Sequence, residues 1–365
     1  MARVQDIVDY LQETAPFQYQ ESYDNSGLLV GNPNWEVTGV FVALDCIESI
    51  VDEAIDQGAN VIVTHHPIIF KGLKRLTGSN YIERTVIKAI EHKIALIAIH
   101  TNLDNYRFGV NHIIANKLGL VKQQILAPKE AVLFGLTVFV PKENAETLRV
   151  ALAKAGAGQI GDYDSCSFSV EGEGRFKPLE GSNPVIGLKN DLTTVNEVRI
   201  SVIVEKHLLS KVVKAMKLAH PYEEVAHEII PLTNKHAYLG SGMIGELEQP
   251  MEAMDFLRLI KERFQCESIR YTSICKHLIE RVALCGGSGS FLLNDAKQQG
   301  ADIFITADFK YHEFFDAEEQ LIIADIGHFE SEQYTSEWLV WHLTKNFTTF
   351  AVRLTNVSTN PINYL

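Results

Sequence analysis

Two adjacent histidines, His65 and His66, follow the apolar run Val61-Ile62-Val63 and precede Pro67. Two further apolar runs end in the same chemistry. Ile94 to Ile99 leads into His100-Thr101-Asn102-Leu103-Asp104, and Leu321 to Ala324 leads into His328-Phe329-Glu330-Ser331-Glu332. Short apolar runs of this kind read as buried strands, and open α/β sheets build their sites at the carboxyl ends of their strands. Imidazoles bind borderline transition metals, while carboxylates offset the cation's charge and can bridge two ions. An isolated His-His pair is more often a hydrogen-bonded pair at a turn, but two more strand ends of the same type reverse that balance. Together they predict a metal centre.

Within it, Asp104, His328 and Glu332 read as ligands, with Glu332 the better placed to bridge. Adjacent side chains at a strand end diverge, so His65 and His66 can serve two metal ions, or one metal and one substrate. His100 is a ligand, a group that supports a ligand, or one that contacts substrate, and it is a candidate for assisting proton transfer or orientation. In each His-x-x-x-carboxylate unit the i, i+4 spacing puts both side chains on one helical face. Three imidazoles and two carboxylates suit Zn, Fe(II) or Mn better than Mg or Ca.

The elements that must position these groups come in two matching sets. Ala54 to Thr64 recurs as Ala296 to Thr306, each reading as a helix end, a Gly stop and a buried strand. His100 and Asp104 precede His328 and Glu332 by the same interval. Two related α/β halves are therefore expected, residues 1–126 and 236–365, with the site at their junction. Between them, residues 127–235 read as strand Phe134–Val140, helix Ala145–Ala155, strand Val198–Val204, helix Leu208–Leu218 and strand Val225–Pro231. This β-α-β-α-β order suits an inserted ferredoxin-like (α+β) domain. Gly172 to Asn183 reads as a long hairpin or mobile loop.

Cys285-Gly286-Gly287-Ser288-Gly289-Ser290 follows the strand Val282-Ala283-Leu284 and precedes a helix predicted to begin at Phe291. It is either an anion cradle of backbone amides, with Ser290 capping the helix, or a turn that needs positive φ. The Lys-Ser/Thr ending of a P-loop is missing, which argues against ATPase chemistry. Asp308, Lys310, Tyr311 and His312 follow the second copy of the repeat, and Lys310 is a candidate for proton transfer or orientation of substrate.

With a net charge of −13 the chain repels polyanions, and no basic patch favours nucleic acid. The five cysteines are scattered and form no C-x-x-C pair, against both a disulfide framework and a thiolate zinc site. Met1 to Thr14 has apolar residues at helical spacing and no signal-peptide core, and no stretch is long enough to span a bilayer. A cytoplasmic protein without a membrane role is expected.

In order along the chain, Tyr23-Asp24-Asn25-Ser26-Gly27-Leu28, Thr64-His65-His66-Pro67, His100 to Asp104, Gly240 to Leu247, Cys285 to Gly289 and Gly327 to Glu332 resemble the motifs of the NIF-three-like family, often labelled GTP cyclohydrolase I type 2 homologs. The resemblance covers both halves. It implies a two-part α/β core, a dinuclear divalent-metal site with ligands His65, His66, Asp104, His328 and Glu332, and a ring-shaped homohexamer. Tyr23 stands where the family usually has Trp, and Met243 where Arg is common. The insert, with His220-Pro221-Tyr222-Glu223-Glu224-Val225, is similar to CutA and PII-like domains, which implies a lid, sensor or oligomer contact. Two functions follow as expectations: a dinuclear-metal-dependent hydrolase of a nucleotide-like small molecule, GTP cyclohydrolase-like, or a metal-binding regulatory scaffold without turnover.

Overall fold

The structure, a computed structural model, describes residues 2–365. It divides into two compact units, one formed by Met1–Pro128 with Tyr238–Leu365 and the other by Lys129–Ala237.

The first unit contains two sheets. One has strands in the order Gly27–Val30, Ala95–Ala98, Val61–Thr64, Gly39–Ala43 and Ala351–Leu354. The other runs Arg270–Tyr271, Ile322–Asp325, Ile303–Ala307, Leu278–Ser288, Gly240–Glu252 and Val121–Pro128. In each, three consecutive strands are parallel, and an antiparallel strand flanks the third of them. The halves are thus related in topology as well as in sequence.

Side-chain alternation explains why these strands are apolar on both faces. Val40, Val42, Val61, Val63, Ala95 and Ile97 point into one core, which also takes Val282, Leu284, Ile303, Ile305, Ile322 and Ala324 from the second sheet. The intervening residues face outward onto each half's own helices. Phe41, Ile62 and Leu96 pack with Ile50, Val51 and Val86 in the first half, and Ala283, Phe304 and Ile323 pack with Leu293 and Ala296 in the second. The shared core locks the two sheets together, and the loops at their parallel strand ends form one site. No helix among the described residues is long and apolar enough to cross a membrane.

The second unit is a four-stranded antiparallel sheet, in the order Phe168–Phe176, Thr193–Glu205, Leu133–Pro141 and His227–Leu232, with helices Ala145–Lys154 and Leu209–Ala219. Its chain order, β-α-β-β-α-β, is that of a ferredoxin-like fold. Strand Phe168–Phe176 is absent from the sequence reading. Its buried-to-exposed pattern is mostly exposed, and Gly172 and Gly174 interrupt it, so it carries little apolar periodicity. At Gly174 the Glu197 carboxylate of the neighbouring strand lies over the backbone, where a Cβ would displace it. Only the second part of the Gly172–Asn183 stretch is loop, closing a hairpin onto Thr193–Glu205.

Candidate metal centre

His65 and His66 directly follow strand Val61–Thr64, and their rings lie 4.9 Å apart. His100 follows Ala95–Ala98 and opens a single helical turn, Thr101–Asp104, which carries Asp104 at its end. Beyond Ile322–Asp325, the short helix His328–Glu332 presents its first and last residues together.

The five predicted ligands converge. Glu332 divides its carboxylate: Oε2 lies 2.9 Å from His66 Nε2 and 3.1 Å from His328 Nε2, while Oε1 lies 3.9 Å from His65 Nε2. Asp104 Oδ1 is 3.4 Å from His65 Nε2. One group of donor atoms comes from His66, His328 and Glu332, a second from His65, Asp104 and Glu332, and within each group they lie within 4.8 Å of one another. His65, His66 and His100 satisfy the same distance, so His100 stays open as a ligand or a neighbour.

His65 Nε2 and Asp104 Oδ1 are buried with no hydrogen-bond partner. An orphaned buried polar atom costs about 1–3 kcal/mol, and a cation between this pair would satisfy both. Electrostatics agree. Burial and the neighbouring Glu332 charge push the Asp104 carboxyl well above its usual range. Burial also opposes ionisation of Glu332, yet the charge of His328 and the close His328 and His66 imidazoles hold it well below. Burial would make His66 less basic, but Asp45 and Glu332 raise it to about 10. His328 rises to about 11 against the same burial, through Glu332 and Asp308. The polypeptide alone thus compensates this carboxylate with protons, the place a metal ion would take.

Each imidazole is oriented from behind, as metal-binding histidines require. His65 Nδ1 lies 2.8 Å from the Ile99 carbonyl, His66 Nδ1 2.8 Å from Asp45, His100 Nδ1 2.7 Å from Asp24, and His328 Nδ1 2.6 Å from Asp308. Asp24 is held in turn by the Thr101 hydroxyl and amide. Asp45 accepts from the Thr359 hydroxyl at 2.7 Å. Asn111 donates to the Asp104 carbonyl and accepts from the Gly286 amide, tying the two halves together at the site.

The sequence reading assigns no role to Asp24, Asp45 and Asn111. Asp45 and Asp308 both sit just past a strand, after Gly39–Ala43 and Ile303–Ala307, so the strand-end rule could have found the first as it flagged the second. Asp308 adopts φ +59°, a left-handed conformation that Asp tolerates better than most residues.

Two expectations change. Lys310 lines neither cavity beside the cluster, its side chain 85 % exposed and its ammonium 3.9 Å from Glu313; Asp308 is the residue of that segment that reaches His328. Gly286, Gly287 and Ser288 belong to the end of strand Leu278–Ser288 rather than to a loop. The amides of Gly286 and Gly287 are donated to Asn111 and Ser331, so they are not free to cradle an anion. What Gly287 provides is room: at φ +60°, a Cβ would collide with Glu332 Oε1. Ser290 makes no capping hydrogen bond, and the α-helix begins at Leu293 after a turn of 3-10 helix. Ser288 lines a cavity of about 570 Å³ next to the cluster, whereas Gly289 packs against Thr306 and Cys285.

A two-halved α/β core with histidines and carboxylates converging at its strand ends defines a protein able to hold metal. Comparison narrows this class to one family. The Duf34/NIF3 (NGG1p interacting factor 3) family matches residues 2–361, and the chain belongs to it. A Bacillus subtilis relative named GTP cyclohydrolase 1 type 2 homolog is 37% identical over 99% of this chain and 98% of its own length. A Staphylococcus aureus relative of the same name is 36% identical over the full length of both. Among solved structures, a Bacillus cereus protein related to NIF3 superposes with a TM-score of 0.85 at 37% identity, covering 100% of this chain and 99% of its own.

Proposed function

We propose that the cluster holds two divalent transition-metal ions, Zn or Fe(II) or Mn, and that the protein hydrolyses a nucleotide-like small molecule. The observation that carries this reading is the shared carboxylate of Glu332, one oxygen beside His66 and His328 and the other beside His65, with Asp104 Oδ1 orphaned alongside. His65, Asp104 and Glu332 would hold one ion, and His66, His328 and Glu332 the other. When bound, such a pair makes water nucleophilic near neutral pH and polarises the bond under attack. Around it the chain's own groups bind and move protons. His100 is fixed by Asp24 and lines the cavities on both sides of the cluster, so it is placed to pass a proton to a leaving nitrogen or oxygen.

The relatives' name supports a cyclohydrolase-type reaction, in which water opens a ring by cleaving a carbon–nitrogen bond. The test is a screen of nucleotides and nucleosides with metal-loaded protein. Turnover is expected, and Glu332→Ala should abolish it together with metal binding. A metal-loaded protein inert to the whole screen would favour the regulatory reading. One observation supports that second reading: the inserted unit carries its own cavity of about 440 Å³, lined by Phe176, Tyr222, Arg175 and Lys177, which suits a ligand-sensing, CutA/PII-like role. We further propose a homohexamer, checked by sedimentation. Five unpaired cysteines suit a reducing, cytoplasmic setting.

A further inference from the structure

Two cavities open onto the cluster, and neither has a lysine or an arginine in its lining among the described residues. The larger, about 570 Å³, is bounded beside the ligands by Glu21, Tyr23, Cys285, Ser288 and Phe291. The smaller, about 420 Å³, is bounded by Phe70, Phe329 and the segment Asn360–Ile362. His100 and His328 line both. The chain does place cations in a cavity elsewhere, Arg175 and Lys177 in the insert.

Carboxylates dominate the charge here. Asp104 and Glu332 sit within the cluster, and Asp24, Asp45 and Asp308 stand behind His100, His66 and His328. The positive charge of two divalent ions would be fully matched by these groups. A polyphosphate entering either cavity would meet no excess positive charge. Apart from direct coordination to metal ions, proteins grip phosphates with Arg or Lys side chains, or with free amides at a helix start. Here the amides of Gly286 and Gly287 are already donated within the protein.

What the cavities do offer is aromatic surface. Tyr23 and Phe291 are 64% and 65% exposed on the larger cavity, and Phe70 is 41% exposed on the smaller. Phe70 lies 6.1 Å from both Tyr23 and His100, ring centre to ring centre. Exposed aromatic faces beside hydroxyls such as Ser288 and Tyr23 suit a flat ring with polar edges, because stacking is indifferent to ring identity and requires no charge.

We infer that the substrate is an uncharged planar nitrogen heterocycle of the nucleobase or nucleoside kind, and that phosphate groups contribute nothing to its binding. This rests on the reading of the cluster as a substrate site and names which part of a nucleotide that site recognises. It sets the natural substrate apart from the triphosphate in the relatives' name.

The test is equilibrium dialysis of the full-length, metal-loaded protein against labelled guanosine, adenosine and uridine and their triphosphates at low ionic strength, with metal content checked afterwards. The best-bound nucleoside should bind at least as tightly as its triphosphate. The double variant Tyr23→Ala, Phe291→Ala should weaken it tenfold or more while the metal content stays as in the parent. A triphosphate that binds tenfold more tightly than its nucleoside overturns the inference, and so does a failure of every nucleoside to bind. Nucleoside binding without turnover would instead sink the hydrolase reading, and with it the word substrate, while leaving the uncharged heterocycle as the ligand class this site recognises.

Discussion

Glu332 is the side chain on which the site turns, because both groups of donors share it. Replacing it with Ala should remove most metal from both positions, whereas Asp104→Ala should weaken chiefly the His65 position. Elemental analysis of each variant reads the difference; equal partial loss from the two would remove the bridging role. The aspartates behind the imidazoles act through orientation, and such partners change metal affinity by about 10- to 100-fold. Asp45→Ala should therefore lower affinity by about that factor at the His66 position, and Thr359→Val, which leaves Asp45 in place without its 2.7 Å hydrogen bond, should lower it less. Chelator competition would measure both, and unchanged affinity in Asp45→Ala would show that Glu332 alone fixes His66. The candidate ligands are legible in the sequence, since the type and position of His65, His66, Asp104, His328 and Glu332 carry the chemistry, and the structure brings them together. Their supports were less so: Asp24 lies 76 positions from His100, and no local pattern links residues that only the fold brings together.

At the scale of elements, the helix Tyr81–Glu91 connects the strand that delivers His65 and His66 to the one that delivers His100. Its start is fixed by an exchange of hydrogen bonds. Asn80 accepts from the Glu83 amide, and the Glu83 carboxylate accepts from the amides and hydroxyls of Thr77 and Ser79. Those donors, the backbone amides first, lower the Glu83 carboxyl from its usual 4.5 to about 2. A carboxyl that is more acidic when folded stabilises the fold above its unfolded value and loses that contribution as pH falls toward its folded one. Stability should therefore drop between about pH 4.5 and pH 2, and Glu83→Gln should flatten that part of the profile in a series of unfolding midpoints. An unchanged slope in the variant would assign the acid sensitivity to other carboxylates. The strands on either side of this helix were readable because each is buried on both faces and hence uniformly apolar. Strand Phe168–Phe176 carries no apolar pattern because it is largely exposed, and the end of Leu278–Ser288 resembles a loop in sequence because its glycines serve close packing against Glu332.

The whole molecule places its insert where the core can best tolerate one. Val121–Pro128 and Gly240–Glu252 are antiparallel neighbours, and Pro128 and Gly240, the residues on either side of the excursion, are partners in register. Such partners lie about 4.5–5.5 Å apart, so the chain leaves the sheet and returns to it at nearly the same point. The inserted residues have their own core, in which Leu136, Val138 and Ile200 pack against Leu148, Leu152, Val212 and Met216. A short Gly/Ser hairpin in place of Lys129–Ala237 should therefore close the gap with little strain. Tyr238 should be retained, because its carbonyl accepts from the Arg107 amide and the adjoining Gly240 amide donates to Asn105 beside the site. The shortened protein is expected to unfold cooperatively and to bind the same number of metal ions per chain, while its oligomeric state or ligand access changes. Circular dichroism, elemental analysis and sedimentation together decide the matter. Metal loss with a collapsed unfolding transition would mean that the core depends on the insert, and a lid or sensor role for it would have to be given up.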